Sequence, residues 1–231
     1  MVIGNGLLAN GFEKYKNNPS VVLFCSGVSN SLCTDISEYA RERKLLSETI
    51  SNNSNSTFVY FSTCSIYEKS PNDNKYVAHK LETELFIQEH CSKYLIVRLS
   101  NVVGKTKNPS TVINFLFNAI YNDAHFTLWE HAYRNLIDVD DVAKIVSHII
   151  DSNLFSNEII NVANVRSVSV PALVSKIEAA LGRKGNYEIV SLGKPFDINI
   201  YPILPIINLL NIKFDESYTE QLLKKYYLRE L

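Results

Sequence analysis

The chain has 231 residues, enough for one large domain or for a domain with a small lobe. Hydrophobic residues make up 46% and charged residues 20% of it, as in ordinary globular proteins, and the net charge is -1 at pH 7. This balance gives no reason to expect a nucleic-acid partner or binding to an acidic membrane surface.

Apolar runs and amphipathic stretches alternate along the chain. The opening MVIGNGLLANGFEKYKNN predicts a short strand, a glycine-rich turn and a short helix. Further strands are predicted at SVVLFCSG, TFVYFST, KYLIVRLS and EIINVAN. Helices are predicted at DISEYARERKLLSETI, KYVAHKLETELFIQEH and VDDVAKIVSHIID. This alternation predicts an α/β fold with a doubly wound parallel sheet, whose ligands bind at the carboxyl ends of the strands.

The C-terminal part is less regular from about Pro171 onwards. SVPALVSKIEAALG predicts a helix that is capped near Ser169 and ended by Gly182, and FDESYTEQLLKKYYLREL predicts another. YPILPIINLLNI is too short and too interrupted by proline to span a bilayer. The opening residues lack the pattern of a signal peptide, so we expect a soluble cytoplasmic protein.

The four cysteines show no metal-site or disulfide pattern. Cys25, Cys33, Cys64 and Cys91 have no CxxC spacing, and no histidines cluster near them. We therefore expect reduced thiols and no metal, with Cys64 most simply a packed core thiol.

Tyr76 and Lys80 form a pair with the chemistry of proton transfer. Their spacing of four places both side chains on one helix face. A nearby ammonium would lower the pKa of the tyrosine from about 10 towards working pH, which suits an acid or base that handles an alcohol proton. Thr63, at the end of the preceding strand, could hydrogen-bond the same oxygen. With 13 tyrosines, roughly one such pair is expected by chance, so a surface pair is the alternative.

The turn GNGLLA carries Gly4 and Gly6 between a predicted strand and a predicted helix. In that context backbone N–H groups can approach a pyrophosphate. A tight strand–helix turn without a ligand is the alternative interpretation.

Taken in order, these motifs resemble the extended short-chain dehydrogenase/reductase family, in particular its nucleotide-sugar epimerases, dehydratases and 4-ketoreductases. VYFSTCSIYE is similar to the strand end with the catalytic Ser or Thr, and YVAHKLETE to the YxxxK helix. VRLSNVVGK resembles the R-x-x-N-V-x-G turn, and RNLIDVDDVAKIV the R-D-F-I-H-V-D-D-V-A segment. IINVAN matches the segment that closes the sheet, so the resemblance covers almost the whole chain.

The resemblance implies a site of three parts. The catalytic residues would be Thr63, Tyr76 and Lys80, with Tyr76 as the acid or base. The cofactor would be NAD or NADP, held by Gly4, Gly6, Leu7, Leu8, Ser26, Lys80 and Leu99. The substrate would be a nucleotide-activated sugar, lined by Cys64, Asn101 and Arg134, the last of which would contact a phosphate. His79 is expected on the helix surface.

The resemblance also implies an organisation and a role. Residues 1–165 would form the Rossmann-like NAD(P)-binding domain, with part of the substrate cleft at 102–135, and residues 166–231 a small substrate-binding lobe. The reaction would be 4-keto reduction or epimerisation of the sugar, as in surface-polysaccharide synthesis. A homodimer is one option for the assembly.

The cofactor half departs from the family pattern. Only 57 residues separate Gly6 from Thr63, and two strands with their helices are missing. The absent second strand would carry the acid that binds the adenosine ribose, about 20 residues after the glycines, where this chain has Phe24 and Cys25.

Three alternatives follow from the shortened cofactor half. The cofactor could bind weakly, or through other groups such as Ser26, Ser29 or Lys14. The chain could instead be a non-catalytic protein that binds a nucleotide sugar. It could also be an enzyme whose cofactor site another subunit completes.

Overall fold

The structure is a computed structural model that describes residues 1–70 and 72–228. Numbered in chain order, the strands are β1 (Val2–Ile3), β2 (Val21–Phe24), β3 (Thr57–Thr63), β4 (Tyr94–Leu99), β5 (Asn101–Val103), β6 (Phe126–Trp129), β7 (Tyr133–Arg134), β8 (Leu136–Asp138), β9 (Glu158–Val162), β10 (Val168–Ser169) and β11 (Tyr187–Val190). The helices are α1 (Leu7–Gly11), α2 (Ile36–Asn52), α3 (Lys75–His90), α4 (Val112–Tyr121), α5 (Val139–Asp151), α6 (Val170–Leu181), α7 (Leu204–Leu209) and α8 (Tyr218–Tyr226).

The central sheet has five parallel strands in the order β1-β2-β3-β4-β9. Alternate side chains of each strand face two different apolar clusters: in β2, Val21 and Leu23 face one, and Val22 and Phe24 the other. Helix α5 contributes to the first cluster, and α2 and α3 to the second. Both faces are therefore covered by helices, which confirms the predicted α/β fold with a parallel sheet.

The first two connections of the sheet lie on opposite faces. Helix α1 packs against α5 on the first face, whereas α2 covers the second. The connections β1–α1–β2 and β2–α2–β3 both move one strand in the same direction along the sheet. Because their helices lie on opposite faces, the two crossovers have opposite handedness, although right-handed crossovers are the rule. In a doubly wound sheet the first helix leads to a strand on the other side of β1. The position of α1 is consistent with the predicted absence of strands between α1 and β2, which stays a prediction.

Two predicted elements differ from the structure in their extent. The helix predicted over LLANGFEKYKNN is α1, of only five residues, followed by a 3-10 turn over Glu13–Tyr15. Residue 71, and residues 229–231 at the end of the predicted last helix, lie outside the described residues.

The elements outside the central sheet join distant parts of the chain. Strand β6 pairs with β11, β7 with β10, and β5 with β8. Segments near 126–134 and 168–190 thus interleave, and a domain boundary at 165/166 stays a prediction. Within the described residues, no helix is long and apolar enough to cross a membrane.

Candidate active site

A cavity of about 570 Å³ opens at the carboxyl ends of the parallel strands. The predicted site residues all contribute to its wall: Gly4, Gly6, Leu7, Leu8, Ser26, Thr63, Cys64, Tyr76, Lys80, Leu99, Asn101 and Arg134. The fold thus brings together residues that are far apart in the sequence. Their individual roles stay predictions.

The glycine-rich turn leaves β1 through a conformation that needs Gly4. Its φ is +115°, and a Cβ there would lie 2.7 Å from the carbonyl oxygen of Cys25. Gly6 precedes α1, and no heavy atom lies within 4 Å of where its Cβ would be. The open backbone of this turn could receive a phosphate, although α1 is too short for a strong helix dipole.

Thr63 and Tyr76 lie together at the end of β3. The Thr63 hydroxyl accepts a hydrogen bond from the N–H of Ser65 at 3.0 Å, which caps the 3-10 turn that follows the strand. Tyr76 is in the first turn of α3, which Asn74 caps by accepting from the N–H of Val77 at 3.0 Å. Local capping therefore fixes both side chains at the cavity wall.

Burial raises the pKa of Tyr76 to about 12. Its hydrogen bond with Thr63 acts in the opposite direction, while the charges of Glu42 and Cys64 raise the pKa further. The predicted lowering of this pKa by Lys80 is therefore wrong for the protein without ligands.

The Lys80 ammonium is occupied by partners other than Tyr76. Lys80 is 2% exposed, and its Nζ donates to Tyr60 Oη at 3.0 Å and to Glu42 Oε1 at 3.2 Å. The same nitrogen lies 5.8 Å from the centre of the Tyr76 ring. Burial would lower the pKa of Lys80, but Tyr60 and Glu42 hold it above its ordinary value.

Glu42, on α2, is fully buried and makes several close contacts. Its Oε2 accepts from the N–H of Val28 at 2.6 Å, and its Oε1 accepts from Tyr60 Oη at 2.8 Å. His79 Nε2 lies 3.1 Å from Oε2, without good hydrogen-bond alignment. Burial would raise the pKa of Glu42, but Lys80, His79 and the Val28 N–H bring it down to about 2. His79 is buried, so its predicted surface position is wrong.

The predicted substrate residues also line the cavity. Arg134 pairs with Glu68 at 3.0 Å and also donates to its neighbour's carbonyl oxygen. Asn101 Nδ2 donates to the carbonyl oxygen of Asn135 at 3.1 Å. Cys64 is a buried thiol that lines the cavity, and burial raises its pKa to about 12.

The wall near the end of β2 contains an arginine that the sequence interpretation missed. Arg41, on α2, donates from Nη2 to the carbonyl oxygen of Ser26 at 3.3 Å and from Nη1 to its hydroxyl at 3.4 Å. Ser29 also lines the cavity. Lys14, the third alternative cofactor group, pairs with Asp151 at 2.6 Å on the surface and is not part of the cavity wall.

The residues present fit the nicotinamide and pyrophosphate parts of a nicotinamide dinucleotide, but not its adenosine part. The open turn at Gly4 and Gly6 suits the pyrophosphate, and the wall at Thr63, Tyr76 and Leu99 suits the nicotinamide. In the described part of the chain β1 is the edge of the sheet, so no strand stands where an acid for the adenosine ribose would be.

Comparison with known proteins identifies one family. The model of the NAD dependent epimerase/dehydratase family matches residues 29–163. A search of the curated proteins found no match.

Several solved structures share the fold. A UDP-glucuronic acid 4-epimerase from Bacillus cereus, in complex with UDP-glucuronic acid and NAD, is 19% identical, with a TM-score of 0.71 over 91% of this chain and 76% of that chain. A UDP-N-acetylglucosamine 4-epimerase from Methanobrevibacter ruminantium M1, in complex with UDP-N-acetylmuramic acid, is 20% identical, with a TM-score of 0.68 over 92% and 77%. A dTDP-glucose 4,6-dehydratase from Bacillus anthracis str. Ames, in complex with NAD, is 15% identical, with a TM-score of 0.70 over 98% and 78%.

Proposed function

The chain belongs to the NAD dependent epimerase/dehydratase family, and from that premise we propose that it is an enzyme that converts a nucleotide-activated sugar with NAD or NADP. The reaction would be reduction of a 4-keto sugar or epimerisation at C4. The observation that carries this proposal is the cavity itself, whose wall includes Thr63, Tyr76 and Lys80 as well as the turn at Gly4 and Gly6.

Each group at the nicotinamide end has a task that its position supports. When bound, the nicotinamide would supply or accept a hydride. Tyr76 would exchange a proton with the oxygen on the reacting sugar carbon, and the Thr63 hydroxyl would orient that oxygen. Lys80 would face the nicotinamide ribose, and the backbone near Leu99 would line the ring.

The substrate end contains groups for a nucleotide diphosphate. Arg134 has the guanidinium geometry that suits a phosphate, and Asn101 would contact the sugar. Because Arg134 is paired with Glu68 in this structure, a bound phosphate would have to replace or share that carboxylate.

The finer proposals rest on the motif resemblance. They are a cytoplasmic location, a role in surface-polysaccharide synthesis, and a homodimer. A gel-filtration mass equal to that of one chain would exclude the homodimer.

The open edge at β1 favours a second candidate function. Since the adenosine-binding strand is absent from the described residues, the chain could bind a nucleotide sugar while a partner completes the cofactor site, or without any turnover. Thr63, Tyr76 and Lys80 favour the enzyme, because a simple binding protein has no use for all three.

Titration of the purified protein with NADH and NADPH, followed by nicotinamide fluorescence, tests the proposal. We expect micromolar binding of one of them, weakened in Lys80→Met and unchanged in Lys144→Met, whose lysine pairs with Asp141 on the surface. Circular dichroism would establish that each variant is folded. If folded wild-type protein binds neither nucleotide, the autonomous enzyme is excluded, and binding of a UDP- or dTDP-sugar would then support the second candidate.

A further inference from the structure

Four buried polar side chains form a cluster beneath the candidate active site. We call Glu42, Tyr60, His79 and Lys80 the Glu42 cluster; each is at most 5% exposed. They come from α2, β3 and α3, so three separate elements contribute. Buried polar groups need hydrogen-bond partners, and Glu42, Tyr60 and Lys80 supply them to one another.

The contacts within the Glu42 cluster leave little freedom to the lysine. Lys80 Nζ donates to both Glu42 Oε1 and Tyr60 Oη, and Tyr60 Oη in turn donates to the same carboxylate oxygen. A Cβ on Gly27 would lie 2.6 Å from Lys80 Nζ and 3.0 Å from Glu42 Oε1, so the backbone after β2 covers the pair. The ammonium is thus fixed in position and has a full counter-charge beside it.

Charges at the proton-transferring tyrosine come from every element around it. Tyr76 is in the first turn of α3, which also supplies the buried His79 and Lys80. The remaining titratable groups that face Tyr76 or the lysine are Cys33, Tyr39, Glu42, Tyr60 and Cys64. The ion pair of Glu42 and Lys80 places one negative and one positive charge near Tyr76, and the two act on the pKa of Tyr76 in opposite directions.

We propose that Glu42 is a positioning residue that fixes Lys80 and cancels its charge at Tyr76, so that Tyr76 serves as a proton donor to a carbonyl oxygen of the substrate. This inference rests on the proposed function and, within it, favours reduction of a keto sugar over oxidation of the matching alcohol at neutral pH. The high pKa of Tyr76, about 12, agrees with a phenol that holds its proton until it is needed.

The preference for reduction over oxidation follows from the protonation state of Tyr76 that each reaction needs at its start. In the reduction, the C=O π bond breaks as a hydride from a reduced nicotinamide nucleotide forms the new C–H bond. The Oη–H bond of Tyr76 breaks as the alcohol O–H bond forms, and the phenolate then regains a proton from water. Oxidation of the alcohol would need Tyr76 as a phenolate at the start, which a neutralised Lys80 does not stabilise.

The first test measures ionisation of Tyr76 in the protein without ligands. Tyr76 alone is replaced by 3,5-difluorotyrosine through site-specific incorporation, which leaves Tyr60 unchanged, and its ionisation is followed by fluorine NMR. In Glu42→Gln we expect the Tyr76 pKa to fall by about one unit or more, because an unopposed ammonium then acts on it. In Glu42→Gln with Lys80→Met it should return to within about half a unit of wild type. Glu48→Gln, an exposed carboxylate on the same helix, is the control and should change nothing.

Two outcomes would overturn the inference. One is a folded Glu42→Gln variant in which the Tyr76 pKa is unchanged. The other is a double variant in which that pKa rises by about one unit or more, since the lysine would then have been acting on Tyr76 all along. If the single variant does not fold, the double variant decides, because it leaves no unpaired buried charge.

A second test uses substrate and separates this inference from the proposed function. At pH 7 we expect reduction of a 4-keto nucleotide sugar to exceed oxidation of the matching alcohol, with Glu42→Gln shifting the pH profile of oxidation downwards. Equally fast oxidation and reduction by wild type at pH 7 would overturn the donor assignment. Failure to bind any nicotinamide nucleotide would overturn the proposed function, while the titration without ligands still reports on the Glu42 cluster.

Discussion

The two ends of the cavity differ in the length and burial of the elements that form them. At the nicotinamide end, Thr63, Tyr76 and Lys80 are buried side chains on the long central strand β3 and on the 16-residue helix α3. At the pyrophosphate end, the glycine turn connects a two-residue edge strand to a five-residue helix. Strand β3, at the first end, has a neighbouring strand on each side, whereas β1, at the second end, has a neighbour on one side only.

This difference shows which parts of such a fold can be lost independently. The side chains that we propose as catalytic lie on β3 and α3, and β3 pairs with β4 from Phe58 to Thr63. In a doubly wound dinucleotide site the adenosine contacts come from strands beyond β1, and the described residues contain none there. A chain can therefore keep the geometry for proton transfer while its dinucleotide site is reduced.

The largest expected effect comes from Tyr76→Phe. Removing the hydroxyl should lower kcat by about 10²–10⁴, the usual contribution of a positioned acid or base, while NADH affinity stays within about threefold of wild type. Steady-state turnover of a keto nucleotide sugar and a fluorescence titration measure the two quantities. Tyr121→Phe, an exposed tyrosine outside the cavity wall, is the control. Loss of binding without loss of kcat would reverse our assignment of the two ends.

The buried carboxylate of Glu42 should make the free energy of unfolding depend on pH in the acid range. Since the folded pKa of Glu42, about 2, lies below its ordinary value of 4.5, its stabilisation is full above pH 4.5 and is lost as the pH falls towards 2. The linkage amounts to about 3 kcal/mol. In Glu42→Gln the free energy of unfolding should be lower at pH 7 and should fall less steeply between pH 4.5 and 3. Urea titrations at these pH values measure it, and a slope as steep as that of Glu48→Gln would contradict the prediction.

Substitutions of Gly4 and Gly6 distinguish the effect of the glycine turn on stability from its effect on NADH binding. Gly4→Ala should reduce stability by about 1–3 kcal/mol, because its φ is positive and its Cβ would meet the Cys25 carbonyl. Gly6→Ala should change stability by less than about 1 kcal/mol, because the space around it is open. If that space receives a pyrophosphate, Gly6→Ala should still weaken NADH binding about tenfold. Unchanged NADH affinity in Gly6→Ala would place the pyrophosphate elsewhere.

The smallest expected effect concerns the adenosine side. Arg41→Ala should weaken NADH binding about fivefold, the loss of one exposed charged contact, and should leave reduced nicotinamide mononucleotide unaffected. Arg43 lies on the same helix as Arg41 and pairs on the surface with Glu82 of α3, so Arg43→Ala should alter neither affinity. Equal losses for the two nucleotides would mean that Arg41 acts at the nicotinamide end.

Much of the central fold can be predicted from local pattern. Helix α2 begins directly after Asp35, whose side chain accepts from the N–H of Ser37, and α6 runs from its cap at Ser169 to Gly182 with a φ of 64°. These boundaries are set by neighbouring residues, so they can be predicted from sequence alone. Helix α1 is shorter than predicted, and the chain beyond it buries Phe12 against Phe61 in the core.

The Glu42 cluster could not be predicted, for a physical reason. In the stretch ARERK, Glu42 has the same local surroundings as a solvent-facing charge. Its burial depends on Lys80 and Tyr60, which lie 38 and 18 residues away in the chain. The predicted effect of Lys80 on the pKa of Tyr76 fails for the same reason. The spacing of four residues predicts that both side chains lie on one helix face, but not that Glu42 neutralises the charge of Lys80.

The position of β1 at the edge of the sheet has a consequence for local opening. A strand of two residues with a neighbour on one side detaches at a smaller free-energy cost than β3, which has neighbours on both. Amide hydrogens of the glycine turn should therefore exchange with solvent faster than those of the central strands. A dinucleotide that binds the closed turn would slow this exchange by the factor 1 + [L]/Kd, so the least protected segment would report most directly on binding.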